Sequence, residues 1–127
     1  MMISTAQFGL LILLFLFLLM HVFILLKIIP YAVIWGGRLK SDSEMYRFEV
    51  FSVLITSLFI IIVLAQAGFV IDNIPKKVIT VTLWLMTGLF LLNTIGNAIS
   101  KNTIERLVFT PLTIVMALFS FILAMAE

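Results

Sequence analysis

Four long apolar runs dominate this chain and limit the folds that it can adopt. They span residues 8–35, 47–68, 76–99 and 107–126, and each reaches the roughly 20 residues that a helix needs to cross ~30 Å of hydrocarbon. Strands are not expected, because the runs are long and lack the alternation of polar and apolar residues that a membrane strand shows. The sequence therefore predicts an all-α integral membrane protein.

The composition indicates the same surroundings. Of 127 residues, 64% are hydrophobic and 11% are charged, and a small domain cannot bury that much apolar surface within itself. We therefore expect a single domain in a lipid bilayer. The absence of cysteine excludes disulfides and thiolate metal sites, and the net charge of +2 comes with no basic, aromatic-rich patch that would bind nucleic acid.

Capping residues and prolines mark the ends and irregularities of the helices. Residues 41–44 (SDSE) and 102–105 (NTIE) are typical of capping boxes, and the short loops favour antiparallel neighbours in an up-down-up-down four-helix bundle. Pro30 and Pro111 fall inside the first and last helices, where proline removes a backbone donor, so a kink is expected at each. The predicted helices span about residues 8–35, 42–68, 75–99 and 103–126.

The distribution of lysine and arginine predicts the orientation in the membrane. Loops 36–47 and 98–106 carry five basic residues, and the opposite side of the predicted bundle carries two. Basic loops are retained in the cytoplasm, so both of these loops are expected there, with both termini outside. The seven residues are Arg38, Lys40, Arg47, Lys101 and Arg106 on one side, and Lys76 and Lys77 on the other.

Polar residues within the predicted spans are the candidates for a ligand site. Lys27 lies well inside an apolar run, and Glu49 is a plausible counter-ion; such a pair could act in transport, could be a structural staple, or could be absent. Lys27 and Glu49 could line a polar cavity between the helices together with Gln66, Asn93 and Asn97. The alternative is a bundle interface, because small and amide side chains let membrane helices approach and hydrogen-bond.

The single histidine and the last hairpin complete the candidates. His21 could bind a metal or haem or relay protons, but no second histidine and no nearby embedded carboxylate is expected, which favours a hydrogen-bonded structural histidine. Ser100, Glu105 and Arg106 are predicted to form a hairpin network, with Asn102 and Glu105 capping the last helix and Glu105 placed favourably at its positive dipole end. We expect no metal and no cofactor.

Several motifs together resemble a widespread family of short bacterial membrane proteins with four predicted helices. In this chain they are Pro30 with Trp35-Gly36-Gly37, Arg47 with the segment 64–68 (LAQAG), and Asn97, Ser100, Glu105, Arg106 and Pro111 in the pattern Asn-x-x-Ser-x-x-x-x-Glu-Arg-x-x-x-x-Pro. The resemblance spans nearly the whole chain. It implies a bacterial inner-membrane location and the four-helix topology, and it implies no reaction.

Three functional hypotheses are compatible with these patterns. No catalytic set of residues is present in the sequence, so an enzyme is not expected. The leading hypothesis is a small accessory or interaction protein that acts as a homo-oligomer or beside a larger membrane partner. The alternatives are a small transporter or ligand-binding membrane protein with a polar cavity between its helices, and a membrane immunity or resistance factor.

Overall fold

The computed structural model describes residues 2–31, 40–69 and 73–127, and these residues form a bundle of four helices without strands. The predicted all-α four-helix architecture is confirmed. A π-helical segment, Glu105–Phe109, leads directly into the last helix. The helices are α1 (Met2–Leu25), α2 (Asp42–Gln66), α3 (Lys76–Ala98) and α4 (Thr110–Ala126).

All four helices are long and apolar enough to cross a membrane. The candidate spans contain 22 to 25 residues, the last counting the π-helical segment with α4. Many of their outward-facing side chains are large and apolar, for example Leu54, Leu85 and Leu92, each at least 65% exposed. A bilayer would remove this surface from water, as expected for a multi-pass membrane protein.

The helices pack in a closed ring with one sparse contact. The α3–α4 and α1–α2 pairs are the most extensive, α1 also packs against α4, and α2 makes few contacts with α3. The core holds buried aliphatic residues from all four helices, including Leu10, Val63, Leu83 and Leu123. The α1–α4 approach depends on Gly9, because a Cβ at this position would overlap the ring of Phe119. The sparse α2–α3 pair leaves space inside one half of the bundle.

The first helix ends earlier than the sequence predicts. Lys27 adopts φ 63°, its N–H bonds to Ile24 O, and Ile28 N–H bonds to Phe23 O. This hydrogen-bond pattern is a Schellman motif, which usually places glycine at the left-handed position. Pro30 therefore follows the end of α1 instead of kinking a continuous helix. Because the backbone leaves the helix at Lys27, the proline ring does not meet the carbonyl four residues earlier, as it would inside a helix. The predicted end of this helix at about residue 35 and the Trp35-Gly36-Gly37 motif lie outside the described residues.

The other helix ends agree more closely with the sequence patterns. Ser41 Oγ accepts the N–H of Glu44, so Ser41 caps α2 as the predicted capping box requires. Gly68 adopts φ 80° and closes a second Schellman motif, in which Phe69 N–H bonds to Leu64 O. Pro111 lies in the first turn of α4, and the π-helical segment that ends at Phe109 is a local irregularity of the helix beside it.

A candidate ligand-binding cavity

A cavity of about 370 Å³ lies between the four helices in the half of the bundle where α1 ends and α2 begins. Its wall combines apolar and polar side chains, and the polar ones come from every helix. They are His21 from α1, Ser52 and Thr56 from α2, Asn93 and Asn97 from α3, Glu105 from the π-helical segment and Thr113 from α4.

The cavity extends along the helices from the hairpins towards the middle of the bundle. His21 lies four residues before the end of α1 and Asn97 one residue before the end of α3, whereas Leu14 and Leu89 lie seven and eight residues deeper along the same helices. At 1.5 Å per residue these separations correspond to about 10–12 Å. His21 and Asn97 therefore lie at the end of the cavity near the hairpins, and Leu14 and Leu89 lie towards the middle of the bundle.

His21 is paired with a buried carboxylate across the α1–α2 interface. Its Nδ1 lies 2.6 Å from Glu49 Oε2; Glu49 is fully buried and the His21 side chain is 14% exposed. The expectation that His21 has no embedded carboxylate nearby is therefore wrong. The early end of α1 is the physical reason, because it places His21 and Glu49 at similar heights on two antiparallel helices. Recognising the break near Lys27 would have revealed the pair.

Lys27 lies outside this cavity, and its partner is Asp42 instead of Glu49. Its Nζ is 2.7 Å from Asp42 Oδ2, both side chains are 54% exposed, and the ammonium lies 5.7 Å from the centre of the Tyr46 ring. The hydrogen bond and the charge of Asp42 raise the pKa of Lys27 above its usual range. A Lys27–Glu49 pair inside the membrane is not formed, because Lys27 belongs to the cap after α1.

Gln66 is likewise absent from the cavity wall, because it lies at the opposite end of the bundle. Its Oε1 accepts a hydrogen bond of 2.8 Å from Gln7 Nε2, and its own Nε2 donates to Glu127 Oε2 at 3.1 Å. These bonds join α1, α2 and the end of α4. Gln66 is thus part of a bridge between helices instead of the predicted ligand site.

Asn93 and Asn97 do line the cavity, as the polar-cavity hypothesis requires. Asn97 Nδ2 donates a long hydrogen bond of 3.5 Å to Thr113 Oγ1, and Thr94 Oγ1 donates to the same oxygen at 2.9 Å. The α3 face that carries these residues therefore forms both an interface with α4 and part of the cavity wall. Asn93 is exposed, so it lies at the edge of the cavity.

The last hairpin carries a compact network around a buried acid. Ser100 Oγ donates to Glu105 Oε1 at 2.7 Å, and Arg106 Nη1 donates to the backbone oxygen of Ser100 at 3.3 Å. Asn102 caps the segment, as the NTIE pattern predicts, because its Oδ1 accepts hydrogen bonds from the backbone N–H groups of Ile104 and Glu105. Glu105 is 2% exposed and faces the cavity, which its predicted capping role did not anticipate.

The arrangement suits noncovalent binding better than metal coordination. Within residues 2–31, 40–69 and 73–127, no three His, Asp or Glu side chains come together as a metal site would require. The wall provides several hydrogen-bonding groups on a mostly apolar surface. No protein-family model, curated protein or solved structure matches the chain.

Proposed function

We propose that this chain is a small membrane protein that binds a hydrophobic small molecule in the cavity between its helices, as a ligand-binding protein or a small transporter. The observation that carries the proposal is the cavity itself. Ligand sites typically enclose about 300–1,000 Å³, with mostly apolar walls and a few convergent polar groups. The 370 Å³ space with His21, Asn97 and Glu105 at one end has this character.

The sparse α2–α3 contact supports entry of the ligand from the lipid. Phe51 on α2 and Leu89 on α3 line the cavity and are also 64% and 37% exposed, and Asn93 beside them is exposed. In a bilayer these residues would face hydrocarbon. A molecule dissolved in the membrane would therefore reach the cavity between α2 and α3 without crossing the polar hairpins.

We further propose that the protein resides in a bacterial cytoplasmic membrane with both termini outside. Support comes from the family resemblance and from the excess of basic residues in loops 36–47 and 98–106. In that orientation the cavity lies in the cytoplasmic half of the membrane. The protein would bind its ligand without chemical change, and it would act as a monomer, as a homo-oligomer or beside a larger partner.

The test is to identify what occupies the cavity. The protein is purified from its native membrane into lipid nanodiscs, and organic extracts are compared by mass spectrometry with those of two variants. Ser52→Trp fills the cavity, and Leu92→Trp adds the same side chain at a position that is 67% exposed on α3. We expect one non-phospholipid molecule at near-equimolar amount in the wild type and Leu92→Trp, and its loss in Ser52→Trp.

Two results would contradict the proposal. The first is recovery of bulk phospholipid alone from all three samples, and the second is an occupant that Ser52→Trp does not displace although the variant remains folded and monodisperse. Either result would favour the accessory or interaction role, or the immunity factor, since neither requires a ligand inside the bundle.

A further inference from the structure

The size and the walls of the cavity suit an aromatic ligand. A dry cavity of about 150 Å³ holds one benzene ring, so a space of 370 Å³ would accept two fused rings with a short substituent. Phenylalanines line it on several sides, and two pairs already interact: Phe17 with Phe109 at 5.7 Å and Phe59 with Phe90 at 6.0 Å between ring centres. Further rings placed edge to face would gain similar contacts.

The His21–Glu49 pair determines which atom the polar end offers to a ligand. His21 lines the cavity, whereas Glu49, which contacts Nδ1, does not, so Nε2 is the ring nitrogen left for a ligand. When Nδ1–H donates to the Glu49 carboxylate, Nε2 of the neutral imidazole is an acceptor. The cavity wall therefore offers an acceptor for an O–H group, and the Asn97 amide in the same wall can supply a donor.

The charges around the cavity disfavour an anionic head group. Glu105 is part of the wall at 2% exposure, and no lysine or arginine lines the cavity among the described residues. Burying a phosphate or carboxylate beside this acid would cost desolvation and repulsion. A neutral hydroxyl avoids both costs and can donate one hydrogen bond and accept another.

From these observations we infer that the ligand is a neutral aromatic hydroxyl compound, a phenol or hydroquinone, whose O–H donates to His21 Nε2 while its rings lie among the phenylalanines. The inference rests on the proposed function and names the class of molecule for the same cavity. Glu49 acts as a positioning residue, because its contact with Nδ1 orients the imidazole.

The single histidine makes the test direct. The full-length protein, labelled with ¹⁵N-histidine in micelles, is titrated with three probes of similar shape: 2-naphthol, 2-methylnaphthalene and the cation 2-naphthylmethylammonium. His21 is the only histidine in the chain, so every histidine signal reports on it. We expect 2-naphthol to shift the Nε2 resonance saturably and to bind about three- to tenfold more tightly than 2-methylnaphthalene, as one net hydrogen bond predicts.

The variant His21→Phe keeps a ring in the wall and removes the acceptor. For it we expect the two neutral probes to bind equally, measured by saturation-transfer NMR on the ligand signals. The wild-type comparison needs no variant, so the inference can be refuted even if His21→Phe does not fold. Equal binding of the neutral probes to the wild type, or tighter binding of the cation, would overturn the ligand class and leave the proposed function intact.

The outcome in which no probe binds is resolved by the occupant of the purified protein. If a molecule displaced by Ser52→Trp is present but no naphthalene derivative binds, the ligand class is wrong and the cavity still has a ligand. If no probe binds and no such molecule is present, both the inference and the proposed function fail.

Discussion

Replacing His21 by leucine should destabilise the bundle strongly, because it removes the hydrogen bond between the imidazole and the buried Glu49 carboxylate. Glu49 is fully buried and lies 2.6 Å from His21 Nδ1. Removing one partner of a buried hydrogen bond costs about 1–3 kcal/mol, and more where the remaining group is charged, whereas replacing both partners with apolar groups of the same shape can be nearly neutral. We therefore expect His21→Leu to cost about 3 kcal/mol and the double variant with Glu49→Leu to recover most of this loss.

The coupling energy from this double-mutant cycle distinguishes a hydrogen bond to a carboxylate from one between two neutral groups. Neutral hydrogen bonds between membrane helices contribute about 0.6 kcal/mol on average and at most about 1.7 kcal/mol. Hydrogen bonds to charged groups contribute about 1.5–3 kcal/mol, so the bond from the neutral His21 imidazole to the Glu49 carboxylate should exceed about 1.7 kcal/mol. Other interactions of Glu49 are lost in both Glu49→Leu arms of the cycle and cancel to first order.

The measurement is the free energy of unfolding in mixed micelles during SDS titration, followed by tryptophan fluorescence. His21→Gln serves as the conservative control, since its amide can still donate to Glu49 and should recover part of the loss. A coupling energy at or below about 1.7 kcal/mol would refute a hydrogen bond to the carboxylate form of Glu49, and an additive cycle would mean that the contact contributes no coupling at all.

Three further substitutions test the packing and the helix ends with the same unfolding assay. Gly9→Ala should cost about 1 kcal/mol or more, because its Cβ would overlap the Phe119 ring; an unchanged protein would contradict this close approach. Gly88→Ala, which meets open space, should instead stabilise α3 by up to about 1 kcal/mol, and a loss of stability would show a hidden contact. The variant Lys27→Gly should be about 1 kcal/mol more stable than Lys27→Ala. Both lose the contact with Asp42, but only alanine has a Cβ that is strained at the positive φ of this position. Equal stabilities of the two variants would contradict a strained backbone at residue 27.

Local patterns in the sequence predicted the elements well where a single residue determines the backbone. The SDSE segment places an acceptor side chain on the N–H three residues later, and Gly68 permits the positive φ that ends α2. The end of α1 was not predicted, because its left-handed position is occupied by lysine. A Schellman motif usually has glycine there, and residues 23–28 contain none.

The candidate site was predicted only in part, because side-chain partners depend on the relative heights of the helices. Asn93 and Asn97 share an α3 face, and that face does border the cavity. Gln66 is equally polar, but its position at the far end of α2 places it beside Gln7 instead. If a helix ends four residues earlier than predicted, each of its side chains lies about one turn nearer to the following loop. That change is enough to give the side chain a different neighbour on the next helix.

The sequence by itself indicated a lipid environment and a bundle of four helices. Apolar runs of about 20 residues satisfy their backbone groups within helices, and four of them with short loops leave few ways to pack. Only the tertiary structure decided that His21 meets Glu49, that Gly9 admits an aromatic ring, and that sparse α2–α3 packing leaves a cavity. The physical reason is that hydrophobicity acts without direction along a helix, whereas hydrogen bonds and close contacts depend on register and rotation between helices.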